Sequence, residues 1–278
     1  MSGSSLAVDI SKVSGDQQLS QKDRIAVEEP LEIQLCSATL GGAAAKSISI
    51  TMRTPGDDLH LALGFLLSEG VIDQVADVTE HQFLPGDPQN LQADTIVLHL
   101  ANAERARIEG RLTRTHEIRS SCGICGLTDA DELLESTTPL LPGVPQVTTD
   151  LLQELRRRFE ASQPLFQATG ACHGAALFGP AGEIWGHGED VGRHNALDKA
   201  IGCAAAAGHD LRHGIAMLSG RAGSDLVFKC LRLGIPIILS VSATAALSFD
   251  LCQAAGATLV GFLREGRMKV YCDGGRLT

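Results

Sequence analysis

From residue 149 to 272 the sequence alternates short apolar runs with amphipathic stretches, and few folds accept that rhythm. TDLLQELRRRFEAS (149–162) carries Leu152, Leu155 and Phe159 at helical spacing, with Thr149 or Asp150 as its cap. HGAALFGPAGEIWG (173–186) predicts two strands around a Pro-Ala-Gly turn. Helix and strand then take turns: helix 194–208, strand 214–220, helix 224–234, strand 235–241, helix 244–256 and strand 257–263. The basic turn REGR and a last strand, MKVYC, follow. Short strands joined through helices predict an α/β fold, with a largely parallel sheet covered by helices on both faces.

The first half is less regular and makes the chain as a whole α+β. EPLEIQLC (29–36), KSISITMRTP (46–55) and DTIVLHLA (94–101) predict strands. Asp57 or Asp58 caps a helix through LHLALGFLLSEG, which Gly70 ends. Residues 76–93 lack a pattern and are expected as a loop. TTPLLPGVPQ (137–146), with three prolines, predicts a linker. The expected organisation is a disordered tail over 1–22, an N-terminal α+β domain over 23–147, and a C-terminal α/β domain over 148–278.

Composition narrows the function. A net charge of −10 argues against a general nucleic-acid binder, though not against a local anion site. The polar opening MSGSSLAVDISKVSGDQQLSQKD has no apolar signal core, and no later run is long enough to span a bilayer. A cytoplasmic protein is expected, with its eight cysteines reduced.

Three strand-to-helix junctions share a composition: GEDVGRHN (188–195), SGRAGSD (219–225) and VSAT (241–244). In an open α/β sheet such junctions gather at the carboxyl ends of the strands, where helix N-termini suit phosphate. Each alone reads as ordinary caps and turns. Together they make Arg193, His194, Ser219, Gly220, Arg221 and Ser242 candidates for an anion crevice.

In RSSCGICGLT (119–128), Cys122 and Cys125 form a single C-x-x-C. A structural zinc site needs four ligands, and no second pair exists. A deaminase centre joins H-x-E to P-C-x-x-C. Here His187-Gly-Glu189 follows the cysteines, and Ser121 stands where the proline belongs. No metal is therefore expected. Glycines beside both cysteines suit a moving sulfur carrier, and Arg114, His116, Arg119 and a helix start at Thr128 would favour a thiolate. Two unremarkable exposed thiols remain the plain alternative.

The motifs EPLEI, TMRTPGDDLHLALGFLLSEGVI, SSCGICG, TGACHGAALF, EDVGRHNALDKAIG, SGRAGSDLVFK, GIPIILSVSA and LVGFLREGRMKVY resemble, in order, those of the formate dehydrogenase accessory sulfurtransferase family, FdhD/NarQ. The resemblance implies a sulfur carrier that takes a persulfide from a cysteine desulfurase onto Cys122, with Cys125 beside it. The carrier would pass that sulfur to a molybdenum or tungsten bis(molybdopterin guanine dinucleotide) cofactor destined for formate dehydrogenase. It implies cofactor binding by Phe262, Leu263, Arg264, Glu265, Gly266 and Arg267, a cytidine-deaminase-like second domain, and a homodimer. A chaperone that binds the cofactor without sulfur chemistry is the competing expectation.

Overall fold

The computed structural model describes residues 3–36, 45–87, 92–101 and 137–278. Its centre is a six-stranded sheet formed by β7 (His173–Phe178), β8 (Ile184–Asp190), β9 (Ile215–Leu218), β10 (Ile237–Ser240), β11 (Thr258–Arg264) and β12 (Arg267–Cys272). The spatial order is β12-β11-β10-β9-β7-β8. Only β9–β10 and β10–β11 are parallel. The largely parallel sheet expected from the alternation is thus a parallel middle flanked by two hairpins. Gly182 and Gly266, at φ 88° and 68°, close those hairpins, and connections that tight can join only antiparallel strands.

Alternate residues serve opposite faces. Ala175, Leu177, Ala216, Leu218 and Ile238 pack under α4 (Arg193–Ala206), α5 (Ser224–Arg232) and α6 (Ala246–Ala255). Ala176, Phe178, Ile215, Met217 and Ile237 meet Leu152, Leu155 and Phe159 of α2 (Thr149–Ala161) on the other side. Thr148, one residue before the expected caps, is the N-cap and accepts from Leu151 N at 3.1 Å. A short helix, α3 (Pro164–Thr169), follows α2.

The first half supplies β3 (Glu29–Cys36), β4 (Lys46–Arg53), α1 (Asp58–Ser68), β5 (Val78–Leu84) and β6 (Asp94–Leu100), with sheet order β4-β3-β6-β5. Helix α1 lies between this sheet and α4, so Leu31, Ile33 and Ile96 share one core with Leu61, Leu66, Ala200 and Ile201. At the α1–α4 crossing a methyl group on Gly64 or Gly202 would run into the backbone carbonyl of Asp198 or His60. Buried ion pairs reinforce the seam. Lys229 of α5 reaches Asp198 of α4 at 2.7 Å and Glu69, beside α1, at 3.3 Å. Lys199 of α4 reaches Asp190 at 2.9 Å. Arg53 is fully buried against Asp58 and Asp94, which makes TMRTPGDD a structural motif.

Three expectations change. Most of the tail expected to be disordered is an antiparallel hairpin, β1 (Ser5–Ser14) and β2 (Gln17–Ala26), turning at Gly15 with φ 60°. Its apolar residues alternate with polar ones, which stabilises a strand but lowers the average hydrophobicity that marks one. Residues 78–84, expected within a loop, are the edge strand β5. The linker is fastened to the second half. Arg276, 1% exposed, gives its guanidinium to the carbonyls of Leu141 at 2.8 Å, Val144 at 2.9 Å and Gly256 at 2.6 Å. Val147 then pairs with Leu277.

Candidate functional site

The carboxyl ends of β8, β9, β10 and β11 and the start of β7 surround a cleft of about 500 Å³. Its walls include Phe166 after α2, Cys172 and His173 before and in β7, Ser219 and Gly220 after β9, Ser242 after β10 and Arg264 ending β11. Three of the six anion-crevice candidates, Ser219, Gly220 and Ser242, therefore come together with Arg264 of the expected cofactor-binding segment. A hollow of about 560 Å³ at the opposite end of the sheet, lined by Gln74, Thr138, His209 and Arg232, contains none of them.

The cleft is held by hydrogen bonds between junctions. Ser219 Oγ accepts from Gly174 N at 2.9 Å, and Ser219 N donates to Gly174 O at 3.0 Å. Ser240, fully buried, donates from Oγ to Gly220 O at 2.7 Å and accepts from Ser242 N at 3.0 Å. Ser242 O in turn accepts from Phe262 N at 2.8 Å. Phe262 sits at φ 48°, in the left-handed region, where the β11–β12 register shifts between Gly261 and Arg264. A non-glycine residue there is strained, and such strain persists only where neighbours impose it. Its partly exposed ring carries Lys269 Nζ 4.6 Å from the centroid.

The same bulge divides the Phe262–Arg267 segment. Arg264 faces the cleft, whereas Leu263 is fully buried among the residues under α2, so its side chain cannot reach a ligand there. Glu265 and Gly266 form the turn, and Arg267 registers against Arg264 outside the cleft lining.

Arg193 and His194 are not free donors. Asp225, in the first turn of α5, takes Arg193 Nη2 at 2.8 Å and His194 Nε2 at 2.6 Å on one carboxylate oxygen. Burial acts to raise the Asp225 carboxyl, but His194 and Arg193 hold it well below the usual carboxylate range. Burial, then Arg193 and His194, lower the His173 imidazole against the opposing effect of Asp190 and so favour its neutral form. Gly220 lies against that ring: a methyl group there would meet His173 Nδ1 at 3.4 Å, an ordinary contact. Arg221 points outward, exposed, and is not in the lining.

Glu189 of the H-x-E motif is committed elsewhere. It accepts from Leu165 N at 2.9 Å and Phe166 N at 2.7 Å at the start of α3, and from the Cys172 thiol at 3.5 Å. Burial, followed by Glu189, pushes that thiol up to about 12. Among the described residues no three His, Cys, Asp or Glu side chains are placed to hold a metal, and no helix is long and apolar enough to cross a membrane. Cys122 and Cys125, with Arg114, His116, Arg119 and Thr128, lie outside the described residues.

Ser240, Asp225 and His173 were not singled out from the sequence. Ser240 had a signal, as the polar end of an apolar strand. Asp225 could be matched to His194 only in three dimensions, 31 residues away.

A layered α/β protein with glycine and serine residues around a cleft at its strand ends has the architecture in which open α/β sheets bind ligands. The chain belongs to the FdhD/NarQ family, which it matches over residues 26–278. It is 41% identical to the sulfur carrier protein FdhD of Anaeromyxobacter dehalogenans (strain 2CP-C), covering 92% of this chain and 89% of the relative. It is 38% identical to that of Sulfolobus acidocaldarius, covering 95% of each. A crystal structure assigned to a formate dehydrogenase accessory protein of Desulfotalea psychrophila superposes with a TM-score of 0.74 at 25% identity, covering 99% of both chains.

Proposed function

We propose that this chain is a sulfur carrier in formate dehydrogenase maturation, with Cys122 as the sulfur acceptor. The observations that carry the reading are the name its relatives share and the state of four of the six cysteines outside the C-x-x-C pair. Burial raises the thiols of Cys172 and Cys230 to about 12, and those of Cys252 and Cys272 also rise. A carrier attacks as a thiolate, so these four are poor acceptors. Cys122, paired with Cys125 and near Arg114, His116 and Arg119 in sequence, is the better one. The name shared by relatives about 40% identical supports the same role.

In the loading step the Cys122 thiolate attacks the terminal sulfur of a persulfide on a cysteine desulfurase. The donor's S–S bond breaks, its cysteine leaves as thiolate, and Cys122 becomes Cys–S–SH with no net oxidation. The substrate of the second step is the molybdenum or tungsten bis(molybdopterin guanine dinucleotide) cofactor. Arg264 and the hydroxyls of Ser219 and Ser242, which line the cleft, suit its phosphates. The family resemblance adds Phe262 and residues 265–267, which flank Arg264 in the chain but lie outside the cleft lining. The reduced thiols this requires fit the cytoplasm.

Peptide mass spectrometry after incubation with a desulfurase and cysteine tests the reading, with alkylation but no reductant. One extra sulfur on the Cys122 peptide, absent from Cys122→Ala, is expected. An unmodified peptide beside an active desulfurase refutes the carrier role and leaves cofactor binding without sulfur chemistry.

A further inference from the structure

The cleft runs from β7 to β11, three strand spacings or about 14 Å, and its two ends differ in chemistry. At the β11 end Arg264 supplies a guanidinium. At the β7 end stand Phe159, Gln163, Phe166 and Cys172, with Phe166 46% exposed. A carboxylate backs this second end. Glu189 accepts from the Cys172 thiol at 3.5 Å and from two backbone N–H groups of α3. Phosphate is therefore repelled from the β7 end and drawn to Arg264. That polarity suits an extended nucleotide, with its base on the Phe166 side.

Gln163, which leads into α3, has the chemistry to read that base. The residue is 6% exposed, and its Nε2 donates to Phe159 O at 3.0 Å. This bond fixes the amide's orientation, because a carbonyl can be met only by the NH2 side. Oε1 accepts from no described residue. The single buried side-chain polar atom without a partner among the described residues is His187 Nε2, so Gln163 Oε1 is reached from the cleft that its side chain lines. Gly174 makes space for it: a methyl group there would lie 2.6 Å from Oε1. The result is an anchored acceptor whose burial is costly until a donor meets it.

We propose that Gln163 selects guanine at the β7 end of the cleft. Guanine presents two adjacent donors, N1–H and the 2-amino group, which converge on one acceptor. Adenine presents one donor, its 6-amino group, beside an N1 lone pair that repels the same oxygen. Phe166 offers a stacking surface to either purine, so it adds affinity without choice. The inference rests on the reading that the cleft holds a dinucleotide cofactor, and it adds the direction in which a nucleotide lies and the residue that reads its base.

The test is calorimetry of the full chain with guanosine, inosine and adenosine diphosphates, with circular dichroism to verify the fold of each variant. The wild type is expected to bind guanosine diphosphate about tenfold or more tighter than adenosine diphosphate. Inosine diphosphate, which keeps N1–H and lacks the 2-amino group, should fall between them. Gln163→Leu should bring guanosine diphosphate down to the affinity of adenosine diphosphate and leave the latter unchanged. Gly174→Ala keeps the glutamine but crowds its oxygen, so it gives a second reading if the leucine variant misfolds, with the same loss of preference expected. Phe166→Ala should weaken both nucleotides by about tenfold. A wild type that binds none of the three removes the cofactor from the cleft, and with it the reading on which this inference rests. Equal affinity for guanosine and adenosine diphosphates, or a guanine preference that survives in whichever of the two variants folds, overturns the role of Gln163 alone.

Discussion

Lys229→Met removes the charge that pins α5 to α4 and to the end of α1, while keeping a chain of similar length. Lys229 Nζ lies 2.7 and 2.9 Å from the two Asp198 oxygens, 3.3 Å from Glu69 and 2.9 Å from Ser68 Oγ. Burial acts to lower the ammonium, but Asp198 and Glu69 outweigh it and keep Lys229 above its usual range. Burial likewise raises the Asp198 carboxyl, against the pull of Lys229. Methionine would leave Asp198, with its side chain 2% exposed, as a buried carboxylate without its cation. Breaking one side of such a pair costs about 3–5 kcal/mol. At roughly 2–4 °C per kcal/mol for a chain of this size, the melting temperature should fall by about 10 °C at pH 7.5.

The pH dependence gives the sharper reading. Without Lys229, the folded pKa of Asp198 lies further above its unfolded value. Folding then favours proton uptake, so the deficit is largest above the folded pKa and shrinks as pH falls through it. Melts at pH 5.5 and 7.5 should therefore draw closer to wild type at the lower pH. Lys229→Met/Asp198→Asn, which removes both charges, should recover most of the loss at pH 7.5. A single variant melting within about 2 °C of wild type at pH 7.5 would refute the assignment of this pair as the seam's electrostatic pin.

Other outcomes separate site from scaffold. Glu189→Gln removes the carboxylate that, after burial, holds up the Cys172 thiol. Iodoacetamide labelling of Cys172 at pH 8 should accelerate by up to about tenfold, and an unchanged rate would mean that burial alone disarms it. Arg264→Glu should weaken guanosine diphosphate binding, measured by calorimetry, by tenfold or more with little change in stability. Leu263→Ala should do the reverse, costing about 2–5 kcal/mol in urea titration while leaving affinity near wild type.

How far the sequence could be read depended on whether the signal was local. Apart from the short helix α3, the main elements from 149 to 272 were legible because each is a short run with its own period, and the turns at Gly182 and Gly266 show their glycines openly. The hairpin was not, because Ser, Gln, Lys and Asp between Leu6, Val8, Ile10 and Leu19 resemble the composition of a tail. Leu263 and Arg264 show a subtler limit. Plain alternation from Leu259 would put Leu263 on the Leu259 face, but the bulge at Phe262 reverses the parity. Arg193 and His194 were correctly placed at the strand ends, yet the carboxylate that occupies them comes from another helix. The three anion-site junctions yielded a cleft, but only Ser219, Gly220 and Ser242 of their six candidates face it.

The clasp formed by Arg276 has a consequence for the order in which a newborn chain matures. The carbonyls of Leu141 and Val144 wait for a guanidinium that is 135 and 132 residues further along. At roughly 5–20 residues per second, that wait during synthesis is on the order of 7–25 s. Until then residues 137–147, which lead out of the cysteine-bearing stretch, have no anchor from Arg276 or Leu277. Translation of Arg276–Thr278 thus completes the fastening of residues 141–147 only after the cleft's own strands have been made, whereas Thr138 has its partners once Leu231 and Arg232 are in place.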